Sequence, residues 1–127
     1  MASASQIKRF EADILTIRKF ISADMLAAAD GGLITILKED PLYAPALKLR
    51  SQVLAAMDYF QQALASAIVL TAVIPNSAEN WVLRGRLELE VGFAHSAIYS
   101  FTTARELGVG DVDDLIREAQ ELRLQQR

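Results

Sequence analysis

At 127 residues, 52% hydrophobic and 23% charged, the chain is long enough for one domain with a modest core and too apolar for intrinsic disorder. A net charge of −3 and a pI near 5.1 give no general push toward nucleic acid, whose binding normally needs a basic face. The absence of cysteine excludes a disulfide framework and a thiolate metal site, and three prolines with six glycines are too few for a sandwich or barrel.

Residues 1–5 are small and polar and read as a frayed end, with no apolar run of a secretory signal. From 6 to 23, Ile7, Phe10, Ile14, Ile17, Phe20 and Ile21 fall at helical spacings. A second helical segment, 25–38, carries Gly31-Gly32 in its middle. Two adjacent glycines cost a helix roughly 2 kcal/mol relative to alanine. Either a neighbour packs very close there and the helix continues, or one helix ends at Asp30 and a short one follows; the first alternative is preferred.

Pro41 stops that segment, because it cannot continue the hydrogen-bond ladder. Residues 44–57 form the next helix, with Leu47, Val53 and Leu54 inward and Pro45 tolerated in the first turn. Asp58 marks a turn before a return helix at 59–73, and Pro75-Asn76-Ser77 repeats the stop, with Asn76 or Ser77 available as a cap. Trp81, Gly85 and Glu88 step along one helix, and Ala97, Phe101 and Ala104 along another. Gly92 lies between, where a tight turn favours a residue without Cβ. Asp111 with Asp114 signals the start of a last helix, whose Val112, Leu115, Ile116, Ala119 and Leu122 form one apolar stripe.

Shifted by 34 residues, the chain matches itself. Pro41 falls on Pro75, Ala44 on Ala78, and Ala29 on Ala63 and then Ala97. Small Ser51, Gly85 and Ala119 share one register, which lets adjacent helices approach, while Leu47, Trp81 and Leu115 fill the space beside them. A period of this length with these residue types resembles the tetratricopeptide repeat (TPR). The third copy matches the family pattern best, through Trp81, Gly85, Gly92, Ala97, Phe101 and Ala104. The second has Leu47 and Ala67 where aromatics are typical, and the first has Asp13 and Ile17 at the aromatic and small positions. The resemblance implies an all-α fold, a right-handed superhelical stack of antiparallel helix hairpins (a TPR-like α-solenoid). It would form a single domain over 1–127, with units near 10–43, 44–77 and 78–111 and a capping helix over 111–126.

In that family the first helices of successive units line a concave surface that holds a peptide or a partner's helix. The resemblance then assigns Ile14, Arg18 and Ile21 to the groove from the first unit, Lys48, Gln52 and Ala55 from the second, and Val82, Arg86 and Leu89 from the third. The mixture is basic with apolar patches, so an acidic protein or peptide partner carrying some apolar side chains is expected; the alternative is that Arg18, Lys48 and Arg86 are merely solvated. Members that capture a C-terminal carboxylate use paired Lys and Asn residues. Here Lys48 and Gln52 fill one such pair imperfectly and Leu83 replaces a further Asn, so capture of a free C-terminus is not expected.

Arg50 and Arg84, also one period apart, are candidates to bridge to Glu88 or Glu118, with an intrahelical Arg84–Glu88 pair the simpler reading. Trp81 and Phe101 are expected in the core and His95 at the surface. With one histidine, no phosphate-cradling loop and no paired acid, base and nucleophile, no catalytic residue, cofactor or metal is expected. The most apolar run, 63–74, falls short of the roughly 20 residues that span a bilayer, so a cytoplasmic, non-enzymatic adaptor or scaffold is expected. Two alternatives remain. Acidic three-repeat chains also resemble the chaperones of type III secretion translocators, and Ile68, Val69, Val73 and Ile74 on a return helix would suit homo-oligomeric self-assembly.

Overall fold

A computed structural model describes residues 2–126. Among the described residues the chain forms seven helices: α1 (Ala4–Ser22), α2 (Leu26–Glu39), α3 (Ala44–Ala56), α4 (Phe60–Val73), α5 (Ala78–Glu90), α6 (Ala94–Glu106) and α7 (Asp113–Gln125). They fall into two compact units, one ending at Ser66 and the other beginning at Ala67.

In the first unit, α1 begins earlier than its composition suggests. Ser3 Oγ accepts the Gln6 N–H at 3.2 Å and Gln6 Oε1 accepts the Ser3 N–H at 2.9 Å, a reciprocal capping box. Ala2 packs against the core. The expectation of a frayed end therefore fails at residues 2–5, because two orphan backbone donors find side-chain acceptors; residue 1 lies outside the described residues. The core joins Phe10, Ile14 and Ile17 of α1 to Ala29, Leu33 and Ile36 of α2 and to Ala46, Leu49 and Val53 of α3. Gly31-Gly32 lies inside α2, and the reason is local. A Cβ on Gly32 would come within 2.8 Å of Ile17 Cγ1, whereas one on Gly31 would meet nothing within 4 Å. Ser51, buried on α3, donates from Oγ to the Ala63 carbonyl at 2.9 Å. Arg50 Nε donates to Asp30 Oδ1 of α2 at 2.9 Å, so its partner is Asp30 and not the expected Glu88 or Glu118.

In the second unit, α5 and α6 pack so closely that a Cβ on Gly85 would come within 2.5 Å of the Phe101 ring. Phe101 and Ala97 join Val112, Ile116 and Ala119 in one apolar core. Ser77 caps α5, accepting the Asn80 N–H at 3.4 Å. Trp81 is only half-buried, a departure from its expected place in the core. Its Nε1 donates to the Pro75 carbonyl at 2.8 Å and its ring meets Tyr99 edge-on, 6.0 Å between centroids, so the indole keeps a polar partner near the surface. Arg84 is tied down by three neighbours. Its guanidinium lies 5.1 Å from the Trp81 centroid, Nη1 donates to Thr71 Oγ1 at 3.0 Å, and Nε sits 3.5 Å from buried Glu88 Oε2. Ser100 Oγ donates to the other Glu88 oxygen. The last helix starts two residues later than the Asp111 signal suggests. Val112 is its N-cap, without a side-chain bond, and Asp113 with Asp114 in the first turn complements the helix dipole instead.

The 34-residue period extends to the backbone of the turns. Asp24, Asp58 and Gly92 hold φ of 58°, 63° and 84°. The N–H of each donates three residues back, to Ile21, Ala55 and Leu89, at 3.0, 3.0 and 3.1 Å. The next N–H groups, of Met25, Tyr59 and Phe93, donate five residues back, to Phe20, Leu54 and Glu88, at 2.8, 2.9 and 2.8 Å. Each first helix thus ends in a left-handed residue that satisfies its last carbonyls.

Candidate functional site

A concavity in the first unit lies between α1 and α3. It has a volume of about 380 Å³ and is lined by Arg18, Ile21 and Ser22 of α1, Leu26 at the start of α2, and Leu49, Gln52, Val53 and Ala56 of α3. Leu49 and Val53, four residues apart on one helix face, are buried and form its floor. Arg18, Ser22, Gln52 and Ala56 are exposed at its rim. A second depression beside it is lined by Leu15, Arg18, Lys19, Ser22 and Ala23, with Leu15 64% exposed.

Of the nine residues assigned to a groove by register, this cleft brings together Arg18, Ile21 and Gln52. Ile14 is only 8% exposed and belongs to the core, so it offers little open surface. Lys48 and Ala55 are half-buried on α3 outside the cleft lining. In the second unit Val82 and Leu89 pack against the core of Phe101 and Val112, while Arg86 is exposed on α5. The register missed Leu26, Leu49 and Val53. The i, i+4 apolar pair Leu49–Val53 is the signal that would have found the floor.

The arginines divide into two groups. Arg9, Arg50, Arg84, Arg105 and Arg117 each lie within ion-pairing distance of a carboxylate, whereas among the described residues Arg18, Arg86 and Arg123 do not. Arg18, Gln52 and Arg86 are successive occupants of one register position, 34 residues apart. A guanidinium without an internal carboxylate keeps its planar fork available for a bidentate acceptor. Among the described residues there is no cluster of three metal-ligating side chains, and no helix is long and apolar enough to cross a membrane.

No protein-family model matches the chain, and neither does any curated protein sequence. Solved structures do: the fold is that of tetratricopeptide repeat domains, an all-helical α-solenoid. The first TPR domain of Spaghetti (RPAP3), bound to the HSP90 peptide SRMEEVD, superposes with a TM-score of 0.83. The match covers 92% of this chain and 94% of that one at 12% identity. The TPR2B domain of yeast Sti1, in a pHsp70 complex, gives 0.77 over 94% of this chain and 99% of that one at 19% identity. The TPR domain of Sgt2 from Aspergillus fumigatus gives 0.77 over 92% and 78% at 16% identity. At such identities the likeness concerns the fold.

Proposed function

We propose that the chain is a non-catalytic, cytoplasmic interaction module that binds a peptide or partner segment on its first helices α1, α3 and α5. The observation that carries this reading is Arg18, a guanidinium without an internal carboxylate at the rim of an apolar cleft. Arg86 repeats that state on α5. The partner segment is acidic with interspersed apolar side chains, held by charge complementarity at the arginines and by burial at Ile21 and its neighbours. The related folds support the same use. That of RPAP3 is seen with an HSP90 peptide and that of Sti1 in a pHsp70 complex, and the RPAP3 ligand SRMEEVD itself combines acidic residues with Met and Val.

The test is selection from a random linear peptide display, followed by affinities for charge-reversed variants. Selected segments are expected to be enriched in Asp and Glu beside Leu, Ile or Phe. Lys48→Glu and Arg86→Glu are each expected to weaken binding about tenfold, Arg86→Glu with the melting temperature unchanged. Selected segments without acidic residues, or affinities indifferent to both reversals, would remove the assignment.

Self-association is the second reading, favoured by Ile68 and Val73, 42% and 36% exposed on α4. Light scattering that finds a monomer at every concentration excludes it.

A further inference from the structure

We infer that the cleft between α1 and α3 is an anchor subsite for a single bulky apolar side chain of an extended segment, with Arg18 taking a side-chain carboxylate beside that residue. The inference rests on the groove reading above and sharpens it, because it places the anchor within the first unit and makes it independent of a chain terminus.

Three observations carry it. The floor and walls are aliphatic, formed by Ile21, Leu26, Leu49 and Val53, so the occupant that gains from entering is apolar. The volume of about 380 Å³ is near the lower end for ligand pockets, which suits one large side chain rather than the face of a helix. Arg18 is the sole charged residue in the lining, and among the described residues no carboxylate pairs with it. In a chain of net charge −3 the attraction for an acid at this point is therefore local. Gln52 is the one amide side chain of the lining, and Ser22 Oγ is already engaged, donating to the Arg18 carbonyl at 3.0 Å. One guanidinium and one amide suit the side chain of Asp or Glu, and no Lys–Asn pair stands there to hold a chain-terminal carboxylate.

The probe is a fluorescein-labelled, C-terminally amidated peptide Gly-Ser-Asp-Glu-Leu-Glu-Asp-Ser-Gly, titrated against the full chain by fluorescence anisotropy. Saturable binding is expected, and replacing the probe's Leu by Ser is expected to weaken it about tenfold. Arg18→Glu, and Ala56→Phe, which fills the cleft from an exposed rim position, are each expected to weaken it about fivefold or more. Arg117→Glu, at an exposed position of α7, is expected to change it by less than about twofold, and the free-acid form of the probe is expected to bind no better than the amide. Circular dichroism and melting curves confirm that each variant folds. Loss with Arg86→Glu while Arg18→Glu and Ala56→Phe are silent would overturn the anchor and leave the groove reading standing. The absence of saturable binding below about 1 mM would overturn the anchor alone, because the display selection judges the groove separately.

Discussion

Gly85 and Phe101 set the distance between α5 and α6. The ring of a fully buried phenylalanine occupies the space where any Cβ at position 85 would stand, 2.5 Å from its nearest atom. Gly85→Ala therefore overpacks a site that cannot yield. Its cost of about 1–3 kcal/mol is only partly offset by the roughly 1 kcal/mol gain in helix propensity. Gly32→Ala meets Ile17 Cγ1 at 2.8 Å, a less severe approach, and is expected to be milder. Gly31→Ala meets nothing and is expected to stabilise by about 0.5–1 kcal/mol. Urea denaturation of the three variants checks the order, and a destabilising Gly31→Ala would contradict it.

The turns carry a second expectation. Asp24 and Asp58 occupy the left-handed conformation that Gly92 occupies two periods and one period on, respectively. Asp24→Gly and Asp58→Gly are expected to raise stability by up to about 1 kcal/mol, and Gly92→Ala to lower it by about 1–2 kcal/mol. Midpoints of chemical denaturation decide this.

Much of the fold was legible because the period places small residues opposite large ones. Ser51, Gly85 and Ala119 sit where helices approach, and the structure sets Phe101 against Gly85. The double glycine of α2 was legible for the same reason, once close packing was allowed to override propensity. Other features hid behind residue types that do not announce their roles. Asp24 adopts a left-handed turn without being glycine, and Ser3 with Gln6 builds a cap in a stretch that composition marks as loose. Of the register positions, Arg18 and Gln52 fall in the lining of the cleft, whereas Ile14 is covered, because helical phase alone does not say how deeply a neighbour covers a face. Trp81 was misplaced similarly, since its Nε1 bond to Pro75 holds it at the surface.

Glu88 and Arg84 form a buried pair whose members depend on each other. Glu88 is 2% exposed and holds Ser100 and Arg84. Arg84→Met strands a carboxylate away from water and is expected to cost about 2–4 kcal/mol, below the largest values for such losses because Arg84 is itself partly exposed. Arg117→Ala, at an exposed pair with Asp114, is expected to change stability by less than about 0.5 kcal/mol. Equal losses in thermal melts of the two variants would show that Glu88 does not rely on Arg84.

Tyr43 titrates above its ordinary value because burial disfavours the phenolate and because Glu11 and Asp40 repel it. The folded state therefore holds this proton more tightly than the unfolded chain. Its contribution to stability is complete below the unfolded value near 10 and is lost as pH rises through the folded one. The ultraviolet titration of the native chain minus that of Tyr43→Phe is expected to have its midpoint above 10. A midpoint at or below that value would contradict the combined effect of partial burial and the Glu11 and Asp40 carboxylates.

The working surface itself is most directly tested by amide chemical-shift mapping of the ¹⁵N-labelled chain as it is saturated with a display-selected acidic segment. Perturbations are expected to concentrate on α1, α3 and α5, with Arg18, Gln52 and Arg86 among the affected positions. Shifts confined to α2, α4 and α6 would place the partner elsewhere and contradict the assignment of the first helices.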